Sequence, residues 1–292
     1  MALTRPFVAV LAAFGLLGLA CRRAPEPEPA RAVIAASIFP VFDVVRRVAG
    51  EAAEVALVLP PGHMDHGFEP RPHDLVRLSA VELAFGVGLG LDPWLERVLS
   101  ASTDGRARVI ELGVALDPRT RAEGGPDPHV FLDPERMARA ALLVAESLAA
   151  RDPGGRDGYV SRGSKVAAEL RALDAEIRGR AAAFRKRAIV TFHGSFFYFA
   201  ERYGLEVVAV VEPSPGREPS PRDVADVLRV VRESRAAALF SEPQLDSRPA
   251  RILAAEAGLP LFELDPIGGG PGAPTYEALM RKNVQVLDEA LR

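Results

Sequence analysis

What the sequence lacks already excludes several classes of protein. Its 292 residues include one cysteine, one tryptophan and five histidines, and only three of its 36 basic residues are lysine. A single cysteine cannot form an internal disulfide, so the fold depends on packing or on a bound ligand. The 36 basic and 39 acidic residues nearly cancel and leave a net charge of −3. Without a basic surplus to neutralise phosphates, we do not expect the protein to bind nucleic acid.

Near the start of the chain, the hydrophobic run is too short to span a membrane. Phe7 to Ala20 makes 14 residues, whereas a membrane-spanning helix needs about 20. A basic residue before it and small residues at its end are typical of a secretory signal peptide over residues 1–20. The segment Gly18-Leu19-Ala20-Cys21 resembles the lipobox of bacterial lipoproteins and predicts lipidation of Cys21; an ordinary cleaved signal with a chance cysteine is the alternative. The charged, proline-rich residues 21–31 are predicted to form a tether.

From residue 32 onward, short apolar runs alternate with amphipathic segments. This alternation predicts βαβ units and mainly parallel sheets, and the length suggests two domains. There is no repeat of fixed period, no Gly-x-Gly-x-x-Gly motif and no P-loop. Strands are predicted at 33–38, 55–59, 83–87, 108–112, 188–191, 206–211, 238–241 and 261–264, and helices at 39–49, 75–79, 93–100, 134–150, 196–203, 221–233, 250–257 and 276–291.

One longer helix is predicted between the two halves, over residues 158–185. Its apolar residues recur at three- and four-residue spacing, at Val166, Leu170, Leu173 and Ile177. At 1.5 Å per residue it would be about 40 Å long, more than a small domain needs. We therefore predict an α/β protein of two lobes, 32–157 and 186–292, each with a mainly parallel sheet flanked by helices, joined by this rigid helix.

All five histidines fall at strand ends or in the loops that follow, at His63, His66, His73, His129 and His193. In open α/β sheets, ligands bind at the carboxyl ends of the strands. Imidazole is a common zinc ligand, and a carboxylate such as Asp265, directly after the last predicted strand, could complete a tetrahedron. The residues lack a local ligand spacing such as His-Glu-x-x-His, so solvated loop histidines remain the alternative at this point.

Six segments occur in the order found in one known family. The chain resembles the zinc- and manganese-binding solute-binding lipoproteins of bacterial ABC importers over residues 32–292. The segments are Phe68-Glu69-Pro70-Arg71-Pro72-His73-Asp74, Gly88-Leu89-Gly90-Leu91-Asp92-Pro93-Trp94-Leu95, Asp127-Pro128-His129-Val130-Phe131-Leu132-Asp133-Pro134, Phe192-His193 to Leu205, Phe240-Ser241-Glu242-Pro243-Gln244 and Leu264-Asp265-Pro266.

The resemblance implies one metal ion held between two lobes. Carried over by position, the ligands are His66, His129, His193 and Asp265, and Glu242 is a nearby carboxylate or alternative ligand. The third position is histidine in zinc-type members and glutamate in many manganese-type members. The chain departs from the family pattern twice, because Asp65 stands where proline is usual and Phe131 where tryptophan is usual.

Three imidazoles and one carboxylate favour zinc, whereas manganese prefers more oxygen ligands. The resemblance thus implies an exported, monomeric receptor, periplasmic or at the cell surface and anchored at Cys21, that delivers zinc to a permease and its ATPase. A manganese or iron receptor of the same family is one alternative. Others are a zinc hydrolase with Glu242 as base and a scaffold with a structural metal. His63 and His73 are either solvated or, for His63, help to collect metal at the mouth of the cleft.

Overall fold

The computed structural model describes residues 32–103, 105–121, 124–212 and 220–292. The predicted signal peptide, Cys21 and the tether lie outside these residues. The strands are β1 (Ala32–Ala36), β2 (Ala53–Leu57), β3 (Val81–Gly86), β4 (Arg108–Glu111), β5 (Ala188–His193), β6 (Glu206–Glu212), β7 (Leu239–Ser241) and β8 (Leu261–Glu263). The α-helices are α1 (Phe39–Ala49), α2 (Pro72–Arg77), α3 (Pro93–Ser102), α4 (Pro134–Arg151), α5 (Arg156–Ala181), α6 (Phe197–Tyr203), α7 (Pro221–Ser234), α8 (Ser247–Ala257) and α9 (Tyr276–Leu291).

The strands form two four-stranded sheets with the same topology. The first has the order β2-β1-β3-β4 and the second β6-β5-β7-β8, and every pairing in both is parallel. In each sheet the strand order reverses between the two central strands, β1 and β3 or β5 and β7, which opens a crevice at their carboxyl ends. The predicted fold of two parallel-sheet lobes flanked by helices, with a long helix between them, is confirmed.

The helix boundaries follow from local capping chemistry. Ser220 accepts a hydrogen bond from the Asp223 backbone N–H, and the Asp223 carboxylate accepts one from the Ser220 N–H, so α7 begins with a capping box ahead of Pro221. Asp246 caps α8 by accepting from the Arg248 N–H, so this helix begins three residues before the predicted start. The first turn of α8 contains no apolar repeat, so the spacing of apolar residues does not indicate where this helix begins.

The long helix α5 contains 26 residues, which makes it about 39 Å long. It begins two residues earlier than predicted, because a 3-10 turn over Pro153–Gly155 leads directly into it. It ends four residues earlier, because the backbone N–H groups of Arg185 and Lys186 turn to the carbonyl oxygen of Leu291 at the end of α9. The helix packs along α4, α1 and α9, and so contacts elements from both halves of the chain.

The larger of two buried hydrophobic clusters is shared by the two lobes. A single buried cluster runs from the first sheet through α4 and α5 to α6 and α9, and a smaller one lies against the second sheet. Where α1 meets α9, the fully buried Asp43 accepts hydrogen bonds from the backbone N–H of Tyr276 and from Arg46. Arg47 joins the same junction through Glu277 at 2.8 Å. These contacts tie the lobes to each other at the junction of α1 and α9. Within the described residues, no helix is long and apolar enough to cross a membrane.

Candidate metal centre

Three histidines from distant parts of the chain meet at the carboxyl edges of the two sheets. His66 lies in the loop after β2, His129 opens a 3-10 turn (His129–Leu132) after β4, and His193 is the last residue of β5. One ring nitrogen from each lies within 4.8 Å of the others. The ring centroids are 5.1 to 5.6 Å apart. The first sheet thus supplies two imidazoles and the second sheet one.

Two ring nitrogens of this cluster, on His66 and His129, are buried and unpaired. The Nε2 atoms of His66 and His129 make no hydrogen bond to any described residue, although both are shielded from solvent. Leaving a buried polar atom unsatisfied costs about 1–3 kcal/mol. A metal ion accepts such lone pairs, so the donor set fits a divalent transition metal that prefers nitrogen.

Buried carboxylates orient two of the rings. The Asp127 Oδ1 atom accepts hydrogen bonds from the His129 ring Nδ1–H, at 2.8 Å, and from the His129 backbone N–H, at 3.1 Å. The proton therefore lies on Nδ1, and the Nε2 lone pair is left for a ligand. His193 Nδ1 lies 3.4 Å from the Glu242 Oε1 atom, which also accepts a hydrogen bond from the Ser195 hydroxyl.

The electrostatic environment differs among the imidazoles. Burial lowers the pKa of His66 to about 4, with a further lowering from the other two imidazoles that the Asp65 carboxylate partly offsets. Burial also lowers the pKa of His193, but the charge and hydrogen bond of Glu242, with the charges of Asp65 and Glu212, outweigh it and raise the pKa overall. His66 is therefore neutral at pH 7 and available as a ligand without losing a proton.

Asp265 follows β8 at the same sheet edge, but its carboxylate does not belong to the group of three histidines. Its Oδ1 atom accepts hydrogen bonds from the Gln244 side chain at 2.8 Å and from the backbone N–H groups of Ile267 and Gly268. The Asn283 side chain accepts a hydrogen bond from the Asp265 backbone N–H and donates one to the Asp265 carbonyl oxygen. The position of the Asp265 main chain is thus fixed, and its side chain faces Gln244.

The remaining candidates lie apart from the cluster. His63 is exposed, and its Nδ1 atom is 3.4 Å from the Pro61 carbonyl oxygen. It lines a surface cavity of about 270 Å³ that is also lined by Met64, His66 and Glu69. His73 lies in α2.

Sequence reasoning missed two carboxylates at the site. It noted Asp65 only as a departure from the family pattern, yet Asp65 is buried and its charge acts on both His66 and His193. It did not single out Asp127 as a partner of His129. An aspartate two residues before a histidine commonly accepts the backbone N–H two residues on, so the spacing itself carried that signal.

The fold and the site together define a two-lobed α/β protein with three clustered imidazoles in the crevice. A family model described as "Zinc-uptake complex component A periplasmic" matches residues 34–290, and the chain belongs to this family. The chain is 26% identical to the iron-binding protein YfeA of Yersinia pestis, over 85% of this chain and 82% of that one. It is also 26% identical to the manganese ABC transporter substrate-binding lipoprotein PsaA of Streptococcus pneumoniae, over 98% and 96% of the two chains.

A solved structure of similar fold supports the same class. The crystal structure of ZnuA matches with a TM-score of 0.80 and 27% identity, over 89% of this chain and 99% of that one. The protein is a metal-binding substrate-binding component of an ABC importer, working with a permease and its ATPase. The zinc-hydrolase alternative is wrong, because the family consists of binding proteins and not of enzymes.

Proposed function

We propose that this protein captures Zn²⁺ in the crevice between the lobes and delivers it to the permease. The observation that carries this proposal is the convergence of three imidazoles, with the buried Nε2 atoms of His66 and His129 left unpaired. Three nitrogens with one or two oxygens suit zinc better than a hard cation such as manganese. Zinc is the transported substrate here and not a resident cofactor.

Asp265 is proposed as the fourth ligand, completing the set with His66, His129 and His193. Its place directly after β8 supports this role, because β8 ends at the same sheet edge as β5. Glu242, already within 3.4 Å of His193, is proposed to hold that ring in place and to serve as the alternative oxygen ligand. A carboxylate in the fourth position leaves no open position of the kind that a catalytic zinc site keeps for water.

A manganese or iron receptor is the second candidate. It is favoured by the names of the relatives YfeA and PsaA and by the buried oxygen donors around the cluster. Asp65, Glu212 and Glu242 are all less than 9% exposed, and their charges act on His193. If these carboxylates joined the coordination, the site would become richer in oxygen and would suit the harder metals.

Export and anchoring form part of the proposal. The signal peptide at 1–20 and lipidation at Cys21 would place the protein outside the cytoplasmic membrane, in the periplasm or at the cell surface, with residues 21–31 as tether. The family description as periplasmic and the name of the PsaA lipoprotein support this location.

We further propose that the lobes, 32–157 and 186–292 with the linker helix at 158–185, act as a monomer and move little when metal binds. The shared core and the Asp43 junction support a limited movement. His63 is proposed to collect metal at the mouth of the cavity that it shares with His66.

The experiment uses the protein purified from residue 22 onward. Elemental analysis of the protein as isolated comes first. After the metal has been removed with a chelator, competition calorimetry among Zn²⁺, Mn²⁺ and Fe²⁺ is expected to give one site with the tightest binding for Zn²⁺. Tighter binding of Mn²⁺ would favour the second candidate. A metal that cannot be removed without unfolding would indicate a structural site, and no binding of any of the three ions would refute a receptor role.

A further inference from the structure

The histidine at position 129 owes its orientation to a loop of the first lobe that forms a short antiparallel ladder. Thr120 and Pro126 form an antiparallel bridge. On one side of the bridge, the Arg121 N–H donates to the Gly125 carbonyl oxygen at 2.9 Å. On the other side, the Asp127 N–H donates to the Arg119 carbonyl oxygen at 2.8 Å. Asp127 thus ends the ladder, and its side chain accepts the hydrogen bond from the His129 ring.

In the last residue pair of this ladder, Arg119 and Asp127, a side chain from the other lobe replaces one of the two backbone hydrogen bonds. In a hydrogen-bonded antiparallel pair, both residues exchange N–H to carbonyl bonds. The reciprocal bond, from the Arg119 N–H to the Asp127 carbonyl, is replaced by a bridge through the Tyr198 hydroxyl. That hydroxyl accepts from the Arg119 N–H at 2.9 Å and donates to the Asp127 carbonyl oxygen at 2.8 Å.

Tyr198 is held firmly where it enters the loop. It lies in α6 of the second lobe and is 1% exposed. The Arg136 guanidinium lies 4.9 Å from the centre of its ring, and Arg136 also binds the carbonyl oxygen of Leu116 just before the loop. The neighbouring Phe197 ring packs against the Arg119 guanidinium, whose central carbon is 4.5 Å from the ring centre. The Tyr198 phenol is therefore held in one position, between the Arg119 N–H and the Asp127 carbonyl oxygen.

We propose that Tyr198 is a positioning residue of the metal centre: from the second lobe, its hydroxyl sets the place of Asp127 and thereby the orientation of the His129 ring. Without the hydroxyl, the Arg119 N–H and the Asp127 carbonyl oxygen either form a direct hydrogen bond or are left without a partner. Both outcomes move the Asp127 carboxylate, whose Oδ1 atom lies 2.8 Å from the His129 Nδ1 atom, and so change the distance and angle of this hydrogen bond. The link between the lobes is thus built into the metal site itself.

The test is Tyr198→Phe, which keeps the ring and removes only the bridging oxygen. Nitrogen-15 NMR of the metal-free protein is expected to show a smaller fraction of the His129 tautomer with the proton on Nδ1. The zinc dissociation constant is expected to rise about tenfold, as for other groups that orient a ligand. Tyr203→Phe is the matched control, because it removes a buried phenol from the same helix, where the hydroxyl donates to Asp174 at 3.0 Å and not to the loop.

A double-mutant cycle separates positioning from a general loss of stability. Asp127→Asn, which leaves Tyr198 in place, is expected to weaken zinc binding by about ten- to a hundredfold. Adding Tyr198→Phe to Asp127→Asn should then cost little more, because the hydroxyl acts through that carboxylate. Fully additive losses, or equal changes of the His129 resonances in Tyr203→Phe, would overturn the assignment.

The affinity part of this inference rests on the proposed function, and the NMR part does not. A wild-type protein that binds no zinc would refute the proposed function alone. Unchanged His129 resonances in Tyr198→Phe would refute the positioning role alone.

Discussion

Replacing His66 by leucine should change how the stability of the metal-free protein depends on pH. Burial holds the pKa of His66 at about 4 in the folded protein, whereas an unfolded histidine titrates near 6.5. Between these two values the unfolded chain binds a proton at this residue and the folded protein does not. The free energy of unfolding therefore falls as the pH drops below 6.5, and the loss is complete only below pH 4.

The magnitude follows from the two pKa values. Their difference corresponds to a loss of about 3 kcal/mol in the free energy of unfolding. About 2 kcal/mol of this loss has occurred when the pH reaches 5. His66→Leu removes this contribution, so wild type should lose about 2 kcal/mol more than the variant between pH 7 and pH 5. The raised pKa of His193 acts in the opposite sense, stabilising the fold at low pH until the pH rises through that pKa. Both proteins keep His193, and between pH 7 and pH 5 the folded His66 imidazole is mostly uncharged and repels His193 little, so this effect changes the difference only slightly.

The assay is urea unfolding of the chelator-treated proteins at both pH values. His63→Leu is the control, because His63 is exposed and its replacement should leave the pH dependence of wild type unchanged. At pH 7, His66→Leu should be at least as stable as wild type, since it removes a buried nitrogen without a hydrogen-bond partner. Equal pH dependence in wild type and His66→Leu would show that the imidazole is not held neutral, and would refute the reasoning.

The other predictions concern the metal and the junction of the lobes. Titration calorimetry should show that His63→Ala leaves the zinc stoichiometry unchanged, while His66→Ala lowers the affinity by orders of magnitude; equal losses would contradict the assignment. His193→Glu should shift the competition between zinc and manganese toward manganese, because an oxygen replaces a nitrogen ligand. Asp43→Ala should lower the free energy of unfolding by about 3 kcal/mol, measured with urea, because two arginines and a helix N-terminus lose a buried carboxylate. Small-angle scattering should show nearly the same radius of gyration with and without metal; wide opening of the metal-free form would refute a rigid linker.

The fold could be predicted because its elements carry strong local signals. The helices at 39–49 and 276–291 have the predicted bounds, since apolar spacing and a proline or a capping threonine mark them. The 72–77 helix begins three residues before its predicted start, at Pro72, because proline favours the first helical position more than the apolar pattern indicates. β2 begins two residues early, because Ala53 pairs with Ala32 in a register that no local pattern specifies.

The metal centre could be anticipated only in part, because its geometry depends on contacts between distant residues. The rule that ligands gather at strand ends, with the family motifs, pointed to His66, His129 and His193, and their role as ligands stays a prediction. The hydrogen bond that turns the Asp265 carboxylate toward Gln244 joins the segments that follow β8 and β7, which are neighbours in the sheet but distant in sequence. The Tyr198 hydroxyl bonds to residues more than 70 positions away, and no local sequence pattern in either segment indicates these hydrogen bonds.

The chain attracts cations weakly as a whole but strongly within its crevice. A net charge of −3 gives little attraction for a cation at long range, and salt screens what there is. Within the crevice, however, the carboxylates of Asp65, Asp127 and Glu242 are nearly inaccessible to solvent and lie beside the three imidazoles. Buried charges are screened much less than exposed ones, so these three carboxylates dominate the local field, although the chain as a whole has a net charge of only −3. Affinity for a divalent cation can therefore be concentrated at one point of a surface that attracts cations only weakly elsewhere.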